Sequence, residues 1–168
     1  MKSRSNLALV LLAATMLVAI STAAQQSPTA EQPVGTWKLV SITLEQDGKK
    51  TDLYGPNPQG VTIFDGNGHF ARMAIQSNLP KFASNNRQAG TPEENKAVVQ
   101  GSIAYSGTYS YNAAEKTCTM HVETSTFPNW VGADQKRLFN FAGDELWETN
   151  PSASVGTGKT LNVWKRVH

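Results

Sequence analysis

The residues most able to do chemistry cluster around one cation. In the stretch 135–141, Arg137 alternates onto the same face as Phe139 and Phe141, opposite Lys136, Leu138 and Asn140. The bulky face of a half-buried strand points to the core. A guanidinium withdrawn from water needs a carboxylate, an aromatic face or a ligand anion beside it. The stretch 103–111 carries Tyr105 and Tyr109 on the face shared by Ile103, Gly107 and Tyr111, with Ala104, Ser106, Thr108 and Ser110 on the other. Tyr105, Tyr109, Arg137, Phe139 and Phe141 together describe an apolar hollow with one positive fixing point. Such a hollow suits a small apolar or weakly acidic molecule.

The stretch 117–125 leaves two phases open. With Cys118, Met120 and Val122 inward, His121 and Glu123 are solvated surface residues. With the opposite face inward, Glu123 pairs with Arg137 and His121 becomes a binding or acid–base group. That phase would permit a cofactor-free isomerase or cyclase, with Glu123 as base or charge stabiliser, His121 as proton carrier and Arg137 as anion holder. His69, directly after a turn, reads as a rim residue. The segment Phe127-Pro128-Asn129-Trp130 places two large aromatics around a rigid proline. They either plug one end of the fold or line a mouth where Trp130 and Asn129 touch ligand.

Other chemistries lack their residues. His69, His121 and His168 have no metal-ligand spacing, and one cysteine supplies no thiolate pair, so neither metal nor cofactor is implied. Asp65-Gly66-Asn67-Gly68 lacks the strand–turn–helix context of a phosphate or dinucleotide loop. The chain carries 15 basic and 13 acidic residues, and Lys2 and Arg4 account for that excess. The remainder is neutral and has no basic stripe for nucleic acid.

The elements that would position these groups are short β-branched and aromatic runs separated by Gly, Asn, Asp and Pro, the pattern of an antiparallel meander. Strands are expected at 37–45, 60–64, 69–76, 103–111, 117–125, 135–141, 145–150 and 159–167. Eight strands suffice to close an up-and-down barrel and remove exposed edges. Asp65-Gly66-Asn67-Gly68 signals a hairpin, and turns follow at Asp47-Gly48 and Ala142-Gly143-Asp144. Thr91-Pro92-Glu93-Glu94 reads as a capping box opening a short helix from Pro92 to about Gln100. After the long polar link 77–90, that helix serves either as a lid or as a side-packing element.

The chain begins with a different signal. Lys2 and Arg4 precede the apolar run 7–20, and Ser21-Thr22-Ala23-Ala24 follows. This is the order of a secretory signal peptide over 1–24, cleaved after Ala23 or Ala24, and its run of about 14 residues is too short to span a bilayer. Residues 25–33 then read as a flexible N-terminus and 34–168 as one barrel domain, exported to the periplasm or secreted, without stable membrane insertion. A membrane-spanning barrel would show lipid an apolar band, whereas the face opposite Tyr105 and Tyr109 is Ser and Thr. Cys118 can form no internal disulfide and is expected to be a buried, inert thiol. The oligomeric state has no signature in the sequence.

Gly35-Thr36-Trp37 near the start and Trp164-Lys165-Arg166 at the end resemble the lipocalin pattern, in which an opening Gly-x-Trp packs against a basic residue from the last strand. Further matching segments are Asp65-Gly66-Asn67-Gly68-His69, Lys81-Phe82-Ala83-Ser84, Gly90-Thr91-Pro92-Glu93-Glu94, Ile103-Ala104-Tyr105-Ser106-Gly107-Thr108-Tyr109 and Phe127-Pro128-Asn129-Trp130-Val131-Gly132. On these residues the chain is similar to the lipocalin-like domain family of short bacterial and fungal proteins. The resemblance implies a barrel with Arg166 over Trp37 at its narrow end. It implies no reaction, and a robust scaffold without ligand remains a third reading beside binder and enzyme.

Overall fold

The computed structural model describes residues 32–168; the expected signal peptide and nearly all of the expected flexible N-terminus lie outside the described residues. Nine strands run in the order β1 (Gly35–Gln46), β2 (Lys49–Asp52), β3 (Gln59–Phe64), β4 (His69–Ile75), β5 (Ser102–Asn112), β6 (Thr117–Ser125), β7 (Asp134–Ala142), β8 (Glu145–Asn150) and β9 (Lys159–Arg166). One helix, α1 (Pro92–Gly101), separates β4 from β5, and a single 3-10 turn covers Pro128–Trp130. Every neighbouring pair is antiparallel, and β1 bonds β3 on one side and β9 on the other, so eight strands close a barrel. The expected architecture is present. The ninth strand, β2, is an exposed ribbon beside the second half of β1, with no apolar periodicity to announce it.

β1 serves both ends of the barrel because it changes phase. Trp37 and Leu39 face inward, a bulge falls between Leu39 and Ser41, and Ile42 then takes the inner position. The extra residue moves the inner face from odd to even positions; unbroken alternation would have turned Ser41 and Thr43 into the core. A second bulge, between Ser106 and Gly107 on β5, leaves Glu123 unmatched on β6. A Cβ at Gly107 would collide with the His121 carbonyl, so this close crossing requires glycine.

One end is sealed. The Arg166 guanidinium lies 4.1 Å from the Trp37 ring centroid and donates to the carbonyls of Val34 (2.8 Å) and Gln32 (3.0 Å). Trp37 Nε1 donates to Pro33 O at 2.7 Å, so the chain just ahead of β1 is tied across the opening. Gly35 has φ +130°, and a Cβ there would sit 2.8 Å from Arg166 Nη1. The glycine of the opening Gly-x-Trp is the space the arginine occupies. Above this seal pack Phe64, Tyr109, Tyr111, Phe139 and Phe141, with Phe64 and Phe139 at 5.8 Å and Phe64 and Tyr109 at 4.9 Å between ring centroids. Each fully buried aromatic contributes roughly 1.5–3 kcal/mol.

The other end carries α1, the 3-10 turn and the long links. Thr91 Oγ1 accepts from Glu94 N at 3.2 Å while Glu94 Oε2 accepts from Thr91 N at 2.9 Å, the reciprocal cap expected from the sequence. Glu94 Oε1 also accepts from Ala83 N at 2.8 Å. The same carboxylate therefore fastens the link before the helix to the helix itself.

Candidate functional site

The centre of the barrel holds a charged cluster. Arg72 projects from β4 between Phe70 and Ala74, Arg137 from β7, and Glu148 from β8 between Leu146 and Asn150. All three are inside, with exposures of 5, 2 and 0%. Glu148 Oε1 accepts from Arg72 Nη1 at 2.7 Å and from Arg137 Nη1 at 2.9 Å, and Glu148 Oε2 accepts from Trp164 Nε1 at 2.8 Å. The Tyr105 hydroxyl accepts from Arg72 Nη1 (3.1 Å) and Arg137 Nη2 (3.4 Å). Arg72 Nε donates to Thr62 Oγ1, Arg137 Nη2 to Gln135 Oε1, and the Arg72 guanidinium lies 4.7 Å from the Trp164 ring. Burial alone would raise the Glu148 carboxyl, but the two guanidinium groups outweigh it and hold the group below the ordinary carboxylate range.

Two spaces lie on this side of the barrel. A void of about 50 Å³ is lined by Arg72, Arg137, Tyr105, Trp130, Asn162 and Trp164 among others. A vestibule of about 510 Å³ opens at the mouth between Val98 and Val99 of α1, Ser102, Phe127, and Val155 of the β8–β9 link. Tyr54, Ile103 and Ser154 line both spaces. The inner one has room for a few waters or one small polar group. The outer one falls within the roughly 300–1,000 Å³ of small-molecule pockets.

The residues singled out from sequence divide between the two ends. Tyr105 and Arg137 belong to the central cluster. Trp130 lines the void and packs edge-on against Tyr105 at 5.1 Å, while its neighbour Phe127 lines the vestibule, so this aromatic loop serves the mouth and the interior at once. Tyr109, Phe139 and Phe141 turn inward but pack into the sealed end, where the Tyr109 hydroxyl donates to Asp65 O at 2.7 Å. Asn129 is exposed and lines neither space.

His121 and Glu123 are the correction. Cys118, Met120 and Val122 take the inner face of β6, so His121 and Glu123 stand on the outer wall. His121 Nδ1 meets Asp134 Oδ1 at 2.7 Å, in water. Burying three apolar side chains outweighs burying an imidazole and a carboxylate. Arg137 finds its carboxylate in Glu148 instead. Sequence reasoning passed over Arg72 and Glu148, although hairpin register contains the signal: counting back from the turn at 143–144 pairs Phe141 with Leu146 and Phe139 with Glu148. Cross-strand partners share a face, so an inward Phe139 implies an inward Glu148. Among the described residues no group of three His, Cys, Asp or Glu side chains converges as a metal site. No described helix is long and apolar enough to cross a membrane.

A closed antiparallel barrel, sealed at one end by arginine over tryptophan and opening at the other through a helix-flanked mouth, defines the lipocalin class. The lipocalin-like domain model matches residues 34–167, and the chain belongs to that family. It is similar to the 4'-hydroxy-3'-methoxypropiophenone carrier protein ppsC of Aspergillus oryzae (strain ATCC 42149 / RIB 40), with 30% identity over 104 residues, a stretch covering 56% of this chain and 94% of that protein.

Proposed function

We propose that this protein is an exported carrier of a small, largely apolar aromatic molecule. Its ring system lies in the mouth vestibule, and its polar end points down to Arg72, Arg137 and Tyr105. The observation that carries the reading is that Tyr54, Ile103 and Ser154 line both spaces, which sets an apolar chamber of ligand size beside a polar well too small for a ring. The carrier named among its relatives supports an aryl ketone as first probe. Titration with 4'-hydroxy-3'-methoxypropiophenone is expected to quench tryptophan fluorescence saturably, because Trp130 and Trp164 line the inner space. Ile103→Trp, which adds bulk at a residue lining both spaces, is expected to abolish the quenching while the circular dichroism stays that of a barrel. No saturable quenching by this ketone or by a panel of other aryl ketones, or quenching unaltered in Ile103→Trp, would refute the assignment.

Transport outside the cytoplasm rests on the order of charge, apolar run and small residues in 1–24. Protein recovered from its native host should begin at Ala24 or Gln25; a mature chain beginning at Met1 would remove the export half of the proposal. The isomerase or cyclase reading has no support from His121 or Glu123, which cannot reach the interior from the outer wall.

A further inference from the structure

The central cluster does not balance its own charge. Facing it are Arg72 from β4, Arg137 from β7, Glu148 from β8, Tyr105 from β5, Cys118 from β6 and Tyr54 from the β2–β3 link; β1, β3 and β9 contribute Ile42, Thr62, Asn162 and Trp164, none of which ionises. Burial, then the neighbouring Tyr105, pushes the Tyr54 hydroxyl up to about 12, and burial, then Glu148, pushes the Cys118 thiol up to about 12, so both stay neutral. Two guanidinium cations therefore share one carboxylate. A buried charge without a counter-charge is among the least favourable arrangements a core can hold. Two donors in the cluster, Arg72 Nη2 and Arg137 Nε, have no hydrogen-bond partner, although the residues are 5 and 2% exposed and both line the void of about 50 Å³.

We infer that the well is an oxyanion site, and that the carried molecule enters as a monoanion: the ionised form of a small aromatic carboxylic acid or acidic phenol, whose anionic oxygen accepts from the free guanidinium N–H groups. This deepens the proposed function and rests on it. A single negative charge neutralises the cluster, and the void admits a carboxylate or phenolate oxygen while keeping the ring above it. Asn162 Oδ1, likewise unpartnered, offers an acceptor to a hydroxyl next to that oxygen.

The test compares 4-methoxybenzoate with its neutral isostere 4-methoxybenzamide by titration calorimetry at pH 7. The benzoate is expected to bind at least tenfold more tightly, and Arg72→Gln, which leaves Arg137 and Glu148 as a balanced pair, is expected to reduce the preference to within about twofold. A second measurement needs no variant. At the pH where the free acid is half-ionised, binding of the anion releases about half a proton per ligand, whereas binding of the neutral acid takes up about half, read by repeating the titration in buffers of different ionisation enthalpy. Equal affinities, preference for the amide, proton uptake, or failure of the benzoate where the aryl ketone binds would each overturn the oxyanion site and leave the carrier standing. Failure of benzoate, benzamide and ketone alike would bring down both.

Discussion

Trp164 Nε1 donates to Glu148 Oε2 at 2.8 Å, so the strand that closes the barrel also fixes the carboxylate at its centre. The opposite oxygen holds Arg72 and Arg137. Closure and charge are thus one construction: β9 cannot leave β8 without exposing an indole and freeing an ion cluster that three other strands depend on.

Glu148→Gln keeps the shape and removes the charge, leaving two buried guanidinium groups uncompensated. Breaking a buried pair in this way costs about 3–5 kcal/mol. Urea unfolding at pH 7 measures it, and a loss under about 1 kcal/mol would mean that water reaches the cluster. The pH dependence follows with a definite sign. The folded-state carboxyl lies below its unfolded value of roughly 4.3. Its contribution is therefore complete above that value and disappears as pH falls through the folded one. Wild-type stability should decline below about pH 4 more steeply than that of Glu148→Gln.

The sealed end predicts an effect on stability without one on binding. Arg166→Lys loses the flat contact with Trp37 and the fork that spans the carbonyls of Gln32 and Val34. A lysine is a poor substitute at such a stacked, two-acceptor position, and a loss of about 1–2 kcal/mol is expected. Affinity for the aryl ketone should be unchanged, since Arg166 stands at the opposite end from the vestibule. Weakened binding in a folded Arg166→Lys protein would show that the two ends are coupled.

The barrel was legible because its determinants are local. Turn residues mark the β3–β4 and β7–β8 hairpins, alternation marks the walls of β5 and β7, and the Thr91-to-Glu94 capping box places the start of α1 at the residue observed. The cluster was half legible. Arg137 announced itself through Phe139, but Glu148 sits beside Trp147, and hydrophobicity favours the tryptophan for the inside. Trp147 is instead 40% exposed and Glu148 fully buried. The balance is reversed by the two arginines, which lie 76 and 11 residues away along the chain. An inward charge is determined by partners on other strands, and composition within one strand does not contain them. β2 escaped notice for a related reason: its four residues bury nothing and are held by the ladder with β1.

Gly107→Ala tests the bulge at Glu123 of β6, which Gly107 of β5 faces. The added Cβ would strike the His121 carbonyl and stand 2.9 Å from Glu123 N, both backbone atoms that cannot rotate away. Overpacking against fixed backbone costs about 1–3 kcal/mol, and the upper half of that range is expected here. Urea unfolding again reads it. A loss below about 0.5 kcal/mol would mean that β6 slides to a regular register, moving Glu123 and its neighbours by one position.

Cys118 reports on the whole interior. It is fully buried on the inner face of β6, and its thiol is pushed up to about 12, first by burial and then by Glu148, against the opposing pull of Arg72 and Arg137. Both access and ionisation are therefore withheld until the barrel opens. In native buffer at pH 8, reaction with a disulfide reagent should be limited by global opening and should accelerate with added urea along the unfolding curve. Each 1.4 kcal/mol of stability lost speeds labelling about tenfold when reclosing outpaces the chemistry, so Glu148→Gln should label at least about a hundredfold faster. Labelling of the wild-type protein at the rate of a free peptide thiol would mean that solvent and reagent enter between β5 and β7 without unfolding.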